Sequence, residues 1–240
     1  MNLYWLLVLA HLIGDFPLQT DRVFYYKHKT KWGILIHIAL CTASNILMTI
    51  PFFIYPWFWL ILLAMSILHL IYDKTKIWLT LTSKRLPDNF PLFLFDQFLH
   101  FATIVIAGVV FYRLNPNAAV MNDSIWANLP LVQLLAGFIL IIFAIAPSNY
   151  FIINDYYHYF RKLKRPFWVF PKVPERIWGY LERGLIAFAV VFQGWWFVLI
   201  PIAIIPRFLF MRNNNLFDFG LSVFFSLAIA LFMNQTIVIV

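Results

Sequence analysis

The chain has 240 residues, of which 63% are hydrophobic, 20% aromatic and only 12% charged, with a mean hydropathy of +0.81. Soluble domains carry about 25% charged residues, so the composition excludes an ordinary soluble fold. It predicts an all-α polytopic membrane protein, because barrel strands would appear as segments of about ten residues with alternating polarity.

The net charge of +8 is expected to reflect basic cytoplasmic loops, and nucleic acid is not expected as a partner. The single cysteine, Cys41, excludes an intrachain disulfide. The first apolar segment carries Asp15 and has no basic residue ahead of it, so it is not expected to be a secretory signal.

Seven spans are predicted, at roughly 3–19, 33–55, 57–73, 91–112, 129–151, 184–206 and 216–239. Pro51 and Pro56 mark a tight turn between the second and third. Trp5, Trp32, Trp57, Trp59, Tyr112, Trp126, Tyr150 and Trp178 fall near the proposed ends, as in an aromatic belt. Of the 18 Lys and Arg, all but Arg113, Arg207 and Arg212 lie in the loops 20–32, 74–90 and 152–183. The positive-inside rule then puts the N-terminus outside and the C-terminus in the cytoplasm, and the expected location is the cell inner membrane. Two regions are expected: 1–113 with four helices and the polar motifs, and 114–240 with three helices. The second holds a basic, aromatic piece at about 152–178, whose Y-Y-H-Y-F-R-K-L-K-R at 156–165 is expected to lie against anionic lipid headgroups. His28 and His158 belong to basic segments and are not expected to be ligands. The sequence leaves self-association open.

The polar residues of the first four spans fall at one depth. His11 and Asp15 are four apart and share a helix face, as do His69 and Asp73 and, reversed, Asp96 and His100. With a rise of 1.5 Å per residue, Asp15, His37, His69 and Asp96 sit about 7 Å, and His11 and His100 about 13 Å, from the cytoplasmic boundary. Asp73 is expected at the boundary itself, paired with Lys74 or Lys76. Ionisable groups inside a span are costly and face protein or a water-filled cavity. Four histidines and three carboxylates at one level suit a divalent transition metal (zinc, manganese or iron), one ion or two. The expected ligands are His11, Asp15, His37, His69, Asp96 and His100, with Asp15 or Asp73 as base. Gln19 continues the row of His11 and Asp15, and with Gln97 is expected to orient ligands or a water. Cys41, Ser44, Asn45 and Met48 follow His37 along one face and read as the wall of the polar interior. Glu182 and Arg183 open the sixth span, either as a boundary ion pair with Arg183 snorkelling or as a holder of an anionic group.

H-L-I-G-D-F-P-L-Q-T-D at 11–21, His37, H-L-I-Y-D at 69–73 and D-Q-F-L-H at 96–100 resemble the bacterial membrane-protein family catalogued as domain of unknown function 3307. G-Y-L-E-R-G-L-I at 179–186 and the stretch to Pro206-Arg207-Phe208 look like later elements of that family. The resemblance covers 1–113 well and 175–240 loosely. It implies a bacterial multi-pass inner-membrane protein whose signature residues are these His, Asp and Gln positions, and it supplies no substrate. A looser likeness, in the use of membrane-embedded His and Asp, is to membrane-bound metal-dependent hydrolases. The expected activity is therefore metal-dependent hydrolysis of a lipid-linked or membrane substrate. A cation or proton transporter and a purely structural or partner-binding role remain alternatives. Bis-histidine haem is disfavoured by the carboxylate one turn from each histidine.

Overall fold

A computed structural model describes residues 2–30, 32–82, 89–116, 118, 128–161, 173–210 and 216–236. Among these the regular secondary structure is all helical, with no strand. Four helices are long and apolar enough to cross a membrane: Pro56–Thr82, Phe90–Leu114, Leu129–Tyr156 and Leu216–Thr236. Leu3–Asp15, Gly33–Met48 and Gly194–Pro206 are shorter apolar helices. The chain divides into two compact units, Met1–Ala136 and Gly137–Val240.

In the first unit, α1 (Asn2–Asp15) ends four residues before the predicted span does. The reason is Pro17, which disfavours helical backbone at Phe16, so Gln19 lies in a turn and does not continue the row of His11 and Asp15. The segment read as a loop then forms α2 (Asp21–Lys29). The Thr20 side chain accepts from Val23 N at 3.4 Å as its N-cap, with Asp21 in the first turn and Lys27, His28 and Lys29 in the last. α3 spans Gly33–Met48, and a 3-10 turn at Ile50–Ile54 leads into α4 (Pro56–Thr82). α4 passes the predicted end at 73, because Lys74 and Lys76 lower the hydropathy without interrupting the helix. α5 is Phe90–Leu114, opened by Asn89, whose side chain accepts from Leu92 N at 2.8 Å.

α1 packs on α3 and α5, and α4 on α3 and α5, so the four helices close a ring, with α2 laid against α3. Trp57, Leu60, Leu63, Ile67 and Ile71 on α4, and Leu94, Phe98, Val105 and Val109 on α5, are exposed at helical spacing, the apolar face lipid requires. One end of the ring is filled by Phe52, Phe58 and Phe111, with each pair of rings 5.4–5.7 Å apart. The other end holds the ionisable residues.

Helix α6 (Leu129–Ile139), which begins in the first unit and ends in the second, runs through a π-helical turn at Leu140–Ala144 into α7 (Ile145–Arg161). The residues 156–161, read as the start of an interfacial segment, are the end of α7, and 162–165 lie outside the described residues. α8 (Val173–Phe192) carries Glu182 and Arg183. The predicted sixth span is broken at Gln193 (φ 53°) and Gly194 (φ 60°), a left-handed pair that no regular helix accommodates. A short 3-10 turn then leads to α9 (Leu199–Phe210), and α10 is Leu216–Thr236. α8 packs on α9 and α10 around buried Ile186, Ala187, Val190 and Ala230.

Candidate functional site

The three i, i+4 pairs and His37 meet inside the ring of α1, α3, α4 and α5. His11, Asp15, His37, His69, Asp73, Asp96 and His100 are all buried, none more than 8% exposed. Their helices approach closely because Gly14 faces Cys41. A Cβ at Gly14 would sit 2.9 Å from Cys41 Sγ and 3.0 Å from Cys41 Cα, so only glycine lets α1 and α3 come this near.

Asp15 is the hub. Its Oδ1 lies 3.4 Å from His69 Nε2, 3.6 Å from His37 Nε2 and 3.5 Å from Cys41 Sγ, and its Oδ2 lies 3.9 Å from His11 Nε2. Asp73 Oδ2 is 3.2 Å from His37 Nε2 and 3.5 Å from His69 Nε2. Asp96 Oδ1 is 3.5 Å from His100 Nε2. The imidazoles pack on one another, with His69 and His100 ring centres 4.2 Å apart and His11 and His100 5.0 Å apart. Gln97 Oε1 stands 3.4 Å from His11 Nε2. His69 Nε2 and His100 Nε2 are buried with no hydrogen bond of good geometry among the described residues. Such nitrogens carry a desolvation penalty that a ligand could relieve.

Two lysines enter the cluster. Lys27 Nζ, on α2, lies 2.7 Å from Asp73 Oδ2 and donates to Gln19 Oε1 at 3.2 Å. Lys76 Nζ, one turn beyond Asp73 on α4, lies 3.0 Å from Asp96 Oδ2. The expected pairing of Asp73 with Lys74 or Lys76 is therefore corrected. Asp73 is not at a solvated boundary but 2% exposed, and its cation comes from α2. The signal that could have found Lys27 is the Thr20 cap, which makes 21–29 a helix with a defined inward face.

Among the described residues, three groups offer ligand atoms within 4.8 Å of one another: Asp15, His37, Cys41 and His69; His11, His69 and His100; Asp73, Asp96 and His100. This donor set could hold a metal ion. A small cavity adjoins it, lined by His11, His69, His100 and Cys41, and then by Thr42, Asn45, Ser66 and Thr103.

Glu182 and Arg183 belong to the second unit and are 1% and 3% exposed there, so Arg183 does not snorkel. Its Nε and one terminal nitrogen donate to Ile142 O at 2.9 and 2.7 Å, and the other terminal nitrogen reaches Ser222 Oγ at 3.4 Å. The π-helical turn explains this. Its widened ring frees the Ile142 carbonyl from the regular ladder, and Arg183 satisfies it.

Residues 3–128 match the family model described as Protein of unknown function (DUF3307), which is more than half of the chain, so the chain belongs to that family. The match takes in every residue of the cluster and ends before the second unit. No curated protein and no solved structure matches the chain.

Proposed function

We propose that this member of the DUF3307 family is a metal-dependent membrane enzyme, a hydrolase acting on a lipid-linked or membrane-embedded substrate. The observation that carries the reading is the uneven charge balance of the cluster. Lys27 neutralises Asp73 and Lys76 neutralises Asp96, whereas the contacts of Asp15 among the described residues are imidazoles and a thiol. A buried carboxylate without a cation is costly in an apolar bundle, and a divalent ion at Asp15 supplies the missing charge. Bound there, the ion would act as a Lewis acid and bring the pKa of a water towards neutrality. Asp73, held by Lys27 beside His37 and His69, is the candidate base. His11 and His100 border the cavity and face a reacting group, and the Gln97 contact sets the ring orientation of His11.

The remaining topology is proposed with it. Basic residues on α2, at the end of α4 and in the connection before α8 support a cytoplasmic side of an inner membrane for these segments, against anionic headgroups. The site then opens to the cytoplasmic leaflet. Exposed Tyr25 and Tyr26 on α2 suit a helix lying in the interface.

Elemental analysis of the detergent-purified protein tests the reading. Near-stoichiometric transition metal is expected, with His37→Ala and Asp15→Asn releasing it. Folded wild-type protein that neither carries nor takes up metal would overturn it. A second reading, cation or proton transport, is favoured by the neutral polar lining of the cavity beyond the histidines, at Thr42, Asn45, Ser66 and Thr103. Ion flux in proteoliposomes that Asp15→Asn abolishes would select it.

A further inference from the structure

The cysteine of the cluster stands in a position that a wall residue does not need. Cys41 is 2% exposed and lies one turn after His37 on α3. Four atoms, one each from Asp15, His37, Cys41 and His69, form a closed figure. Asp15 Oδ1 to His69 Nε2 is 3.4 Å, Asp15 Oδ1 to Cys41 Sγ 3.5 Å, Asp15 Oδ1 to His37 Nε2 3.6 Å, and Cys41 Sγ to His37 Nε2 3.7 Å. One ligand atom from each of the four residues lies within 4.8 Å of those of the other three. In a tetrahedral zinc site with bonds of about 2.0–2.3 Å, neighbouring ligand atoms are about 3.3–3.8 Å apart. The four short edges fall in that range while the atoms come from three different helices; Cys41 Sγ is also 3.8 Å from His37 Nδ1, so the thiol faces the side of the imidazole, which would have to turn to aim Nε2 at a shared ion.

We propose that Asp15 Oδ1, His37 Nε2, Cys41 Sγ and His69 Nε2 form a tetrahedral site for one thiophilic divalent ion of the zinc type, with Cys41 bound as thiolate. The proposal rests on the metal reading above and narrows it: the water of that reading would join as a fifth ligand from the cavity side. One thiolate, two imidazoles and one carboxylate suit zinc, cobalt or ferrous iron, and disfavour manganese, magnesium and calcium. The charges also close. A thiolate and a carboxylate together cancel a divalent ion, so the filled site is neutral, the state a low-dielectric interior favours. The thiol proton passes to solvent as the ion binds. Asp73 Oδ2 also approaches His37 and His69, but Lys27 at 2.7 Å already compensates it. His69 Nε2 is buried without a good hydrogen bond, which leaves its lone pair available to a metal. Gly14 fits the same picture, because its missing side chain lets Asp15 reach the thiol. His11 and His100 then stand outside the coordination shell, on the cavity side.

The test uses the full chain in detergent, stripped of metal and titrated anaerobically with cobalt(II). A thiolate-to-cobalt charge-transfer band in the near ultraviolet, with intense tetrahedral d–d bands in the visible, is expected, and zinc should bleach both. Cys41 is the only cysteine of the chain, so the wild-type band alone assigns it even if Cys41→Ser fails to fold. Where Cys41→Ser does fold, it should lose the charge-transfer band and keep weaker d–d bands. Tetrahedral d–d bands without charge transfer would overturn thiolate ligation and leave the metal reading standing. Absence of both bands, with no cobalt retained on desalting, would overturn the two together.

Discussion

Removing the charge of Lys27 should destabilise the first unit more than any other surface-derived cation in it. The pair is short, 2.7 Å, and buried, with side-chain exposures of 10% for Lys27 and 2% for Asp73. At an effective dielectric of about 20, two unit charges at that distance attract by about 6 kcal/mol. Desolvation offsets much of this in the intact pair. Deleting one partner restores none of the desolvation and strands the other, which typically costs about 3–5 kcal/mol. Lys27→Met keeps most of the aliphatic stem and removes the charge. At about 2–4 °C per kcal/mol for a chain of this size, its melting temperature should fall by about 6–20 °C. Tryptophan fluorescence of the protein in detergent reads this directly. Adding Asp73→Asn should recover most of the loss, because both ends of the pair are then neutral, and the double-mutant cycle isolates the coupling. A Lys27→Met protein that melts within a degree of wild type, or an Asp73→Asn change that adds to the loss, would refute the placement of Lys27 inside the cluster.

Gly14→Ala should weaken metal binding with only a modest effect on melting. Better helix propensity, at most about 1 kcal/mol, is opposed by about 1–3 kcal/mol of overpacking against the Cys41 backbone, and cobalt titration reads the displaced Asp15. Arg183→Ala should leave the Ile142 carbonyl of the π-helical turn unsatisfied and cost about 1–3 kcal/mol. Arg183→Lys should recover only part of it, because one ammonium cannot reproduce the two bonds to that oxygen. Melting curves of the two variants decide the point.

Much of the cluster was legible because a helix turns each i, i+4 pair into a shared face. His11, Asp15, His37, His69, Asp96 and His100 converge inside one ring of helices. Pro17 also carried the information that α1 ends at Asp15, but hydropathy runs past it to Leu18. The same measure misplaced the end of α4, since it reports lipid contact rather than helix continuity, and Asp73 was put at a boundary that is instead the centre of the site. The break at Gln193–Gly194 interrupts an otherwise apolar run, with that polar residue and glycine as its local sign. The Lys27–Asp73 pair and the capture of the Ile142 carbonyl by Arg183 are tertiary events. They join residues 46 and 41 positions apart, and no local pattern encodes them.

The lysines bear on how many ions the site can take. Seven His and Asp residues would suffice for two, and Asp73, Asp96 and His100 do lie close enough to share one. That second place, however, already contains the charge an ion would bring. Lys76 lies 3.0 Å from Asp96 and Lys27 2.7 Å from Asp73. With neutral histidines and a neutral Cys41, three carboxylates and two lysines leave the cluster at a net charge of about −1. One divalent ion with the Cys41 thiolate brings it to about −1 + 2 − 1 = 0. A second ion would raise it to about +2, or would expel a lysine from its carboxylate into an apolar surrounding. Metal content should therefore saturate at one ion per chain, by mass spectrometry of the native protein or by elemental analysis after equilibration with excess zinc. Lys76→Ala should open the second place and raise the limit towards two. Two ions in the wild type would show that the lysines are displaced rather than structural, and that charge balance does not select the site.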